Sequence, residues 1–346
     1  MNRFIAFVVV VFTASMAQAV PAGWQQIKPG GDTLCARGGE FSFLVRKGDP
    51  KKILVSFAGG GACWDDLTCD TDKIYTDTAE KTFKQVEKQG GIYSWNNNGN
   101  PYKGWTHVFV PYCTGDVHVG SADTEYNRPD NTKFKIYHRG GINAKAVIKW
   151  LADNYQVPDE VNVDGCSAGS YASILWTPAI AEKYPQARIA QFGDSGAGVA
   201  DSLFFPQWRL DQSLPNWIPA LNPAVIDWEK LTIVDIYKSI ANHYPKAQFA
   251  QFNHHQDRVQ ILYYAAMGGA AMDWTPRMFK NMEDTGSLAP NFKYFVAPGK
   301  THCSINNSSF YTTTTDGTSL SSWLWQKVQG QDVENVKCKE CSASVK

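Results

Sequence analysis

The sequence predicts an α/β fold: a mostly parallel sheet flanked by helices, with a cap region inserted around 200–240. Three observations predict it. Short apolar runs alternate along the chain with stretches of helical periodicity. Gly165-Cys-Ser-Ala-Gly169 fits G-x-S-x-G, the strand-to-helix elbow that lifts a serine above a parallel sheet. Phe57-Ala-Gly-Gly-Gly-Ala-Cys-Trp64 follows an apolar run, where a strand's carboxyl end opens into a functional loop.

The N-terminus reads as a leader rather than as part of the fold. Arg3 supplies a positive start, Ile5 to Phe12 an apolar core, and Ala17-Gln18-Ala19 a small-residue cleavage site. Cleavage after Ala19 leaves 20–346 as a single domain, secreted or periplasmic. The apolar run is too short to span a bilayer comfortably, so no membrane span is expected. Eight cysteines in an exported chain argue for disulfides rather than for metal or free thiols. With 33 basic and 33 acidic residues, the chain lacks the electrostatic footprint of a nucleic-acid binder.

Phe41 to Arg46 and Lys52 to Phe57 flank Gly48-Asp49-Pro50 and read as a hairpin. Thr106 to Val110, Glu160 to Val163, Arg188 to Phe192, Ala247 to Phe252 and Phe292 to Val296 read as short buried strands. Ile142, Val147, Ile148 and Leu151 give Ile142 to Asn154 helical spacing, and Ala168 to Tyr184 reads as the helix after the elbow. Small residues open that second helix because it must start hard against the strand it has just left.

Ser167 is the candidate nucleophile, and an α/β-hydrolase-like chain should then run Ser, Asp or Glu, His. His302 follows the last expected strand through Ala297-Pro-Gly-Lys-Thr301, where a general base for Ser167 belongs. Two acids compete. Asp257 lies just beyond the strand before that one, and Asp194 ends the strand directly after the elbow helix. Chain position favours Asp257; Asp194, before Ser195-Gly196, suits a loop-holding role through side-chain to backbone hydrogen bonds. The Ala168 N–H and the glycine run supply donors for an oxyanion. No Gly-Lys-Ser/Thr follows that run, so it is not a phosphate loop.

Gly59-Gly-Gly-Ala-Cys63, Pro111-Tyr-Cys-Thr-Gly-Asp116, Gly165-Cys-Ser-Ala-Gly169 and Asp194-Ser-Gly196, in this order, resemble the pectin acetylesterase and Notum carboxylesterase family. The segment from Asn100-Pro101 to Trp105 is similar too, and the resemblance runs from about Gly23 to Ser309. It implies a nucleophile at Ser167, an acid at Asp257 with Gln260 in an Asp-x-x-Gln segment, and a histidine at His302. Oxyanion donors fall on Gly60, Gly61 and Ala168. It implies an ester substrate, an acylated carbohydrate polymer or similar, and no cofactor. The glutamate and tryptophan that often flank the family's glycine run are Ala58 and Ala62 here, a departure that bears on the substrate rather than on the hydrolysis.

If Ser167 and His302 are within hydrogen-bond reach, their neighbours Cys166 and Cys303 come near disulfide distance. Cys63 and Cys69 would close a small loop beside the glycines. Cys35 with Cys113 is the pairing that the family resemblance also suggests, and Cys338-Lys-Glu-Cys341 suits a local bridge. No metal site is expected. His254 and His255 are adjacent on an extended segment and point to opposite faces, and neither HExxH nor paired CxxC spacing occurs.

The expected cap holds Phe204, Phe205, Trp208, Trp217, Trp228 and Tyr237, which either line an acyl or sugar pocket or pack the cap on the sheet. Gln207, Arg209, Asp211, Gln212 and Asn216 interrupt them. That mixture favours short acyl groups, acetyl to butyryl, over the long-acyl pocket of a lipase-like or polyester hydrolase. A rival from another class is an inactive secreted binding protein of the same fold; the intact Ser, His, Asp and glycine set argues against it.

Overall fold

In a computed structural model of the chain, residues 20–71, 73–88, 90–200, 205–210, 227, 230–339 and 341 are described. The expected leader and most of the expected cap, with Phe204, Trp217 and Trp228, lie outside them. The chain starts with strands β1 (Gln25–Ile27), β2 (Phe43–Arg46) and β3 (Asp49–Phe57), then helices α1 (Asp66–Asp70) and α2 (Glu80–Glu87). Strand β4 (Trp105–Val110) and the pair β5 (Ala122–Asn127) and β6 (Lys133–His138) lead to α3 (Gly140–Asn154). Alternation then sets in: β7 (Glu160–Cys166), α4 (Ala168–Lys183), β8 (Arg188–Asp194), α5 (Ile233–His243), β9 (Gln248–His254). Helices α6 (Arg258–Ala266) and α7 (Trp274–Leu288) precede β10 (Phe292–Ala297). The end of the chain adds α8 (Ser309–Thr312), the short pair β11 (Thr314–Thr315) and β12 (Thr318–Ser319), α9 (Leu320–Val328) and β13 (Val336–Lys337).

Among the described residues, nine strands form one sheet in the order β1-β2-β4-β3-β7-β8-β9-β10-β13. Only β2 runs against its neighbours; the pairs from β4 to β13 are all parallel. Strands β7, β8 and β9 bury every residue after their first, as parallel strands covered on both faces must. Helix α4 is correspondingly apolar, burying Ile174, Leu175, Trp176 and Ile180. The result is an α/β-hydrolase-like sheet with its loops gathered at the carboxyl ends of β3, β7, β8, β9 and β10.

One expectation is corrected. β2 and β3 do not form a hairpin, because β4 lies between them. The connection crosses the start of β4: the Asp49 N–H donates to the Gly104 carbonyl at 2.7 Å. A Cβ on Gly48 would run into the Gly104 and Trp105 carbonyls, so glycine is what allows the crossing. The β5–β6 pair is absent from the strands expected above. Its second strand, Lys133-Phe-Lys-Ile-Tyr-His138, alternates exposed and covered residues in the period-two manner of a half-buried strand.

Candidate active site

Ser167 sits between β7 and α4 with φ 59° and ψ −123°, a conformation few non-glycine residues adopt. The surrounding backbone over-determines it. A Cβ on Gly165 would meet the Gly169 carbonyl, and one on Gly169 would meet the Phe57 carbonyl. The two glycines therefore let α4 begin directly against β7 and β3. The serine N–H is held as well, donating to the Asp194 carbonyl at 2.9 Å.

Asp257 follows β9 and caps α6. Its Oδ1 accepts the N–H groups of Val259 and Gln260 at 3.0 and 3.1 Å, and its Oδ2 accepts Gln260 Nε2 at 3.0 Å. The Asp-x-x-Gln spacing thus serves two purposes: it starts a helix and it fixes a carboxylate. His302, on the loop after β10, brings Nδ1 within 2.8 Å of Asp257 Oδ2 and 3.0 Å of Oδ1. With Nδ1 donating to the carboxylate, Nε2 is the ring nitrogen left with a free lone pair. The Asp257 side chain is fully covered, while 17% of His302 is exposed. Burial pushes the Asp257 pKa up, but the hydrogen bond and charge of His302, with the Gln260 bonds, outweigh it and hold the carboxyl below its ordinary value.

Asp194 does different work. Its Oδ2 accepts the backbone N–H groups of Ser304 and Ile305 at 2.6 and 2.8 Å, and its Oδ1 accepts the Ser195 hydroxyl at 2.9 Å. Ser195 Oγ in turn accepts the Cys303 N–H at 3.0 Å. Burial raises the Asp194 pKa above the ordinary carboxylate value, with those amides and the hydroxyl offsetting part of the rise. The neighbouring histidines hold the same loop from its other side. His254 Nδ1 lies 2.8 Å from the Pro298 carbonyl, and His255 Nδ1 accepts the Gly299 N–H at 3.1 Å.

Disulfides join Cys166 to Cys303, Cys63 to Cys69, Cys35 to Cys113 and Cys338 to Cys341. The first links the residue before Ser167 to the residue after His302, with Cα atoms 5.7 Å apart. Among the described residues, three groups of His and Cys atoms lie close enough to share an ion, but each includes both partners of a disulfide, whose sulfurs have no thiolate to offer.

Ser167, Ala168, Gly61, Gln260 and His302 share the wall of a cleft that is open at its mouth. The rest of the described wall is largely apolar, with Leu175, Val199, Ile233, Ile236, Val259 and Met267 among its members. Trp64 stacks on Phe205 at 5.4 Å, and both rings line it. Of the expected cap aromatics, Phe205 and Trp208 line the cleft, whereas Tyr237 is buried against Phe292. Sequence reasoning missed the apolar faces of α5 and α6, since ordinary core residues carry no sign that the wall they form is concave.

A parallel sheet with its serine elbow at the carboxyl edge is the architecture of the α/β-hydrolase class. The chain belongs to the pectinacetylesterase family, whose profile matches residues 27–206, and it is a carboxylesterase in that general sense. The match contains the glycine run, Ser167 and Asp194 and ends before Asp257 and His302. The structure of the Wnt deacylase Notum from Drosophila has a similar fold, with 20% identity and a TM-score of 0.60 over 88% of this chain and 93% of that one.

Proposed function

We propose that the chain, as a single domain from residue 20 onward, is an exported serine carboxylesterase acting on an acylated carbohydrate polymer. Ser167 Oγ attacks the ester carbonyl while His302 Nε2 takes its proton. The carbonyl electrons move onto oxygen, where the N–H groups of Gly60, Gly61 and Ala168 receive the charge. Collapse of that intermediate expels the alcohol, which takes the proton from His302, and leaves an acyl-Ser167 ester. Water then repeats the sequence and releases the acid. Asp257 keeps the imidazole in the required tautomer and stabilises its charged form.

The observation that carries this reading is the His302–Asp257 pair, whose ring opens onto the same cleft as Ser167. Export rests on the leader pattern at 1–19; among the described residues, no helix is long and apolar enough to cross a membrane. On acyl size, the described wall favours the longer-acyl alternative over acetyl to butyryl. Gln207 and Arg209, two of the polar cap residues behind the short-acyl expectation, do not line the cleft. Asp211, Gln212 and Asn216 lie outside the described residues.

A nitrophenyl ester tests the reaction class. Purified protein should release a burst of chromophore matching its active-site concentration, and then turn over. Absence of both on every chain length tried would leave the binding-protein reading in possession.

A further inference from the structure

Three successive carbonyls of the glycine run are each tied to a donor. Ala58 O accepts from His118 Nε2 at 2.8 Å, Gly59 O from Gln85 Nε2 at 3.0 Å, and Gly60 O from the Thr76 N–H at 2.7 Å. A trans peptide is planar, and its N–H points opposite to its C=O. Holding the Gly59 carbonyl therefore aims the Gly60 N–H, and holding the Gly60 carbonyl aims the Gly61 N–H. Neither of these N–H groups has a protein acceptor among the described residues. The next residues are held as well: Gly61 forms an antiparallel bridge with Tyr75, and the Tyr263 hydroxyl beside it donates to the Ile74 carbonyl.

The run lies directly against the elbow. A Cβ on Gly59 would come within 2.8 Å of the Cys166 carbonyl and 3.0 Å of Ser167 Cβ. Glycine is needed for that approach, and glycine leaves the backbone free to rotate unless something else stops it. Thr76 supplies one stop from the main chain. The stop for the Gly59–Gly60 peptide comes from a side chain on α2, a helix anchored by Thr82, Phe83 and Val86. Gln85 does not itself line the cleft.

We infer that Gln85 is a positioning residue for the oxyanion: its amide fixes the plane of the Gly59–Gly60 peptide and so aims the Gly60 N–H at the charge developing on an ester held at Ser167. This rests on the esterase reading above. The interaction contributes in the transition state and not in the ground state, which separates it from a merely structural contact.

The test compares Gln85→Leu, which removes the donor, Gln85→Glu, which turns an acceptor toward the carbonyl, and Gln85→Lys, which restores a donor of similar reach. In the first two, kcat for a nitrophenyl ester should fall about 10- to 100-fold with KM unchanged, less than deletion of an oxyanion donor outright. Affinity for an alkyl trifluoromethyl ketone, which adds to Ser167 and forms an oxyanion, should fall by the same factor. Affinity for an unreactive ether analogue should hold, and Gln85→Lys should recover most of kcat. An unchanged kcat, a loss confined to KM, or a ketone affinity that does not follow kcat would overturn the assignment. If Gln85→Leu fails to fold, Gln85→Met and Gln85→Glu carry the same readings. Ser167→Ala in the same assay separates the two levels of inference. Activity there overturns the esterase reading itself, whereas an inert Ser167→Ala beside a fully active Gln85→Leu overturns only the role given to Gln85.

Discussion

The N–H of Ser167 donates to the backbone carbonyl of Asp194 at 2.9 Å, and the carboxylate of that same Asp194 clamps the Ser304 and Ile305 amides. One buried residue therefore touches both the elbow and the loop that carries His302. Asp194 braces the site through main-chain groups, while Asp257 meets the imidazole. The two acids should fail differently when altered.

Asp257→Asn should leave a folded protein with kcat reduced by a factor on the order of 10⁴, because the imidazole tautomer is no longer set. Asp194→Asn should lower the melting temperature first, since an amide cannot accept in the same way from two N–H groups and a hydroxyl. Parallel kcat and calorimetric measurements decide it. A well-folded, inert Asp194→Asn beside an active Asp257→Asn would reverse the assignment.

Ser167→Ala should lose at least about a thousandfold of esterase activity, since members of such a set act as a unit. Its melting temperature should stay at or above the parent's, because alanine is no worse than serine in the strained elbow. Titration with a phosphonylating reagent should label the parent once and this variant not at all.

The Cys166–Cys303 bridge closes a separation of 137 residues. Replacing both cysteines by serine should destabilise the protein by about 2–5 kcal/mol. It should also lower kcat below the melting transition, since the bridge sets the spacing of the elbow and the histidine loop. Peptide mapping without reduction, followed by kinetics on the double variant, checks both parts. Full activity at unchanged stability would mean that the hydrogen bonds of Asp194 and Ser195 are enough.

Asp164 is 4% exposed; its Oδ2 accepts the Ser56 hydroxyl at 2.8 Å, and its Oδ1 has no partner. Burial, with the Asp194 charge adding to it, pushes its pKa to about 8. The folded value lies above the unfolded one of about 3.9, so between those pH values the native state holds a proton that the unfolded chain has released. Its contribution therefore falls as pH rises from about 4 to about 8, and levels off above. Asp164→Asn removes that dependence, so the variant should gain on the parent steadily from pH 5 to pH 8 in thermal melts. A constant difference across that range would show that Asp164 titrates normally.

Acyl preference is read from a nitrophenyl ester series. Each methylene buried in the apolar wall contributes about 0.8 kcal/mol, about fourfold in kcat/KM, so efficiency should climb from acetyl through butyryl to hexanoyl. A decline from acetyl onward would restore the short-acyl reading. Replacing Met267, a half-buried member of that wall, by Asp should flatten the climb with the acetyl ester least affected.

The elbow was legible because its demands are local. A Cβ at Gly165 would meet the Gly169 carbonyl, a contact inside the motif, so G-x-S-x-G signals the turn at Ser167 (φ 59°), although Gly169 itself answers to the distant Phe57 carbonyl. Asp257 and His302 could be ranked by chain order, since the loops at one edge of a parallel sheet come in sequence. Pairing was another matter. Gly48-Asp49-Pro50 announces a change of direction, but which strand lies beside β3 depends on β4, some fifty residues later, and on what both faces must bury. The orientation of the glycine run was equally hidden, for Gln85 looks like any polar residue on an amphipathic helix until Gly59 is folded against it. Residue types and chain order point to a candidate nucleophile, acid and base and to the order in which they arrive. Which acid meets His302, which carbonyls are tied back and how apolar the cleft is emerge on folding. These depend on contacts between segments far apart in the chain, and no local propensity encodes such contacts.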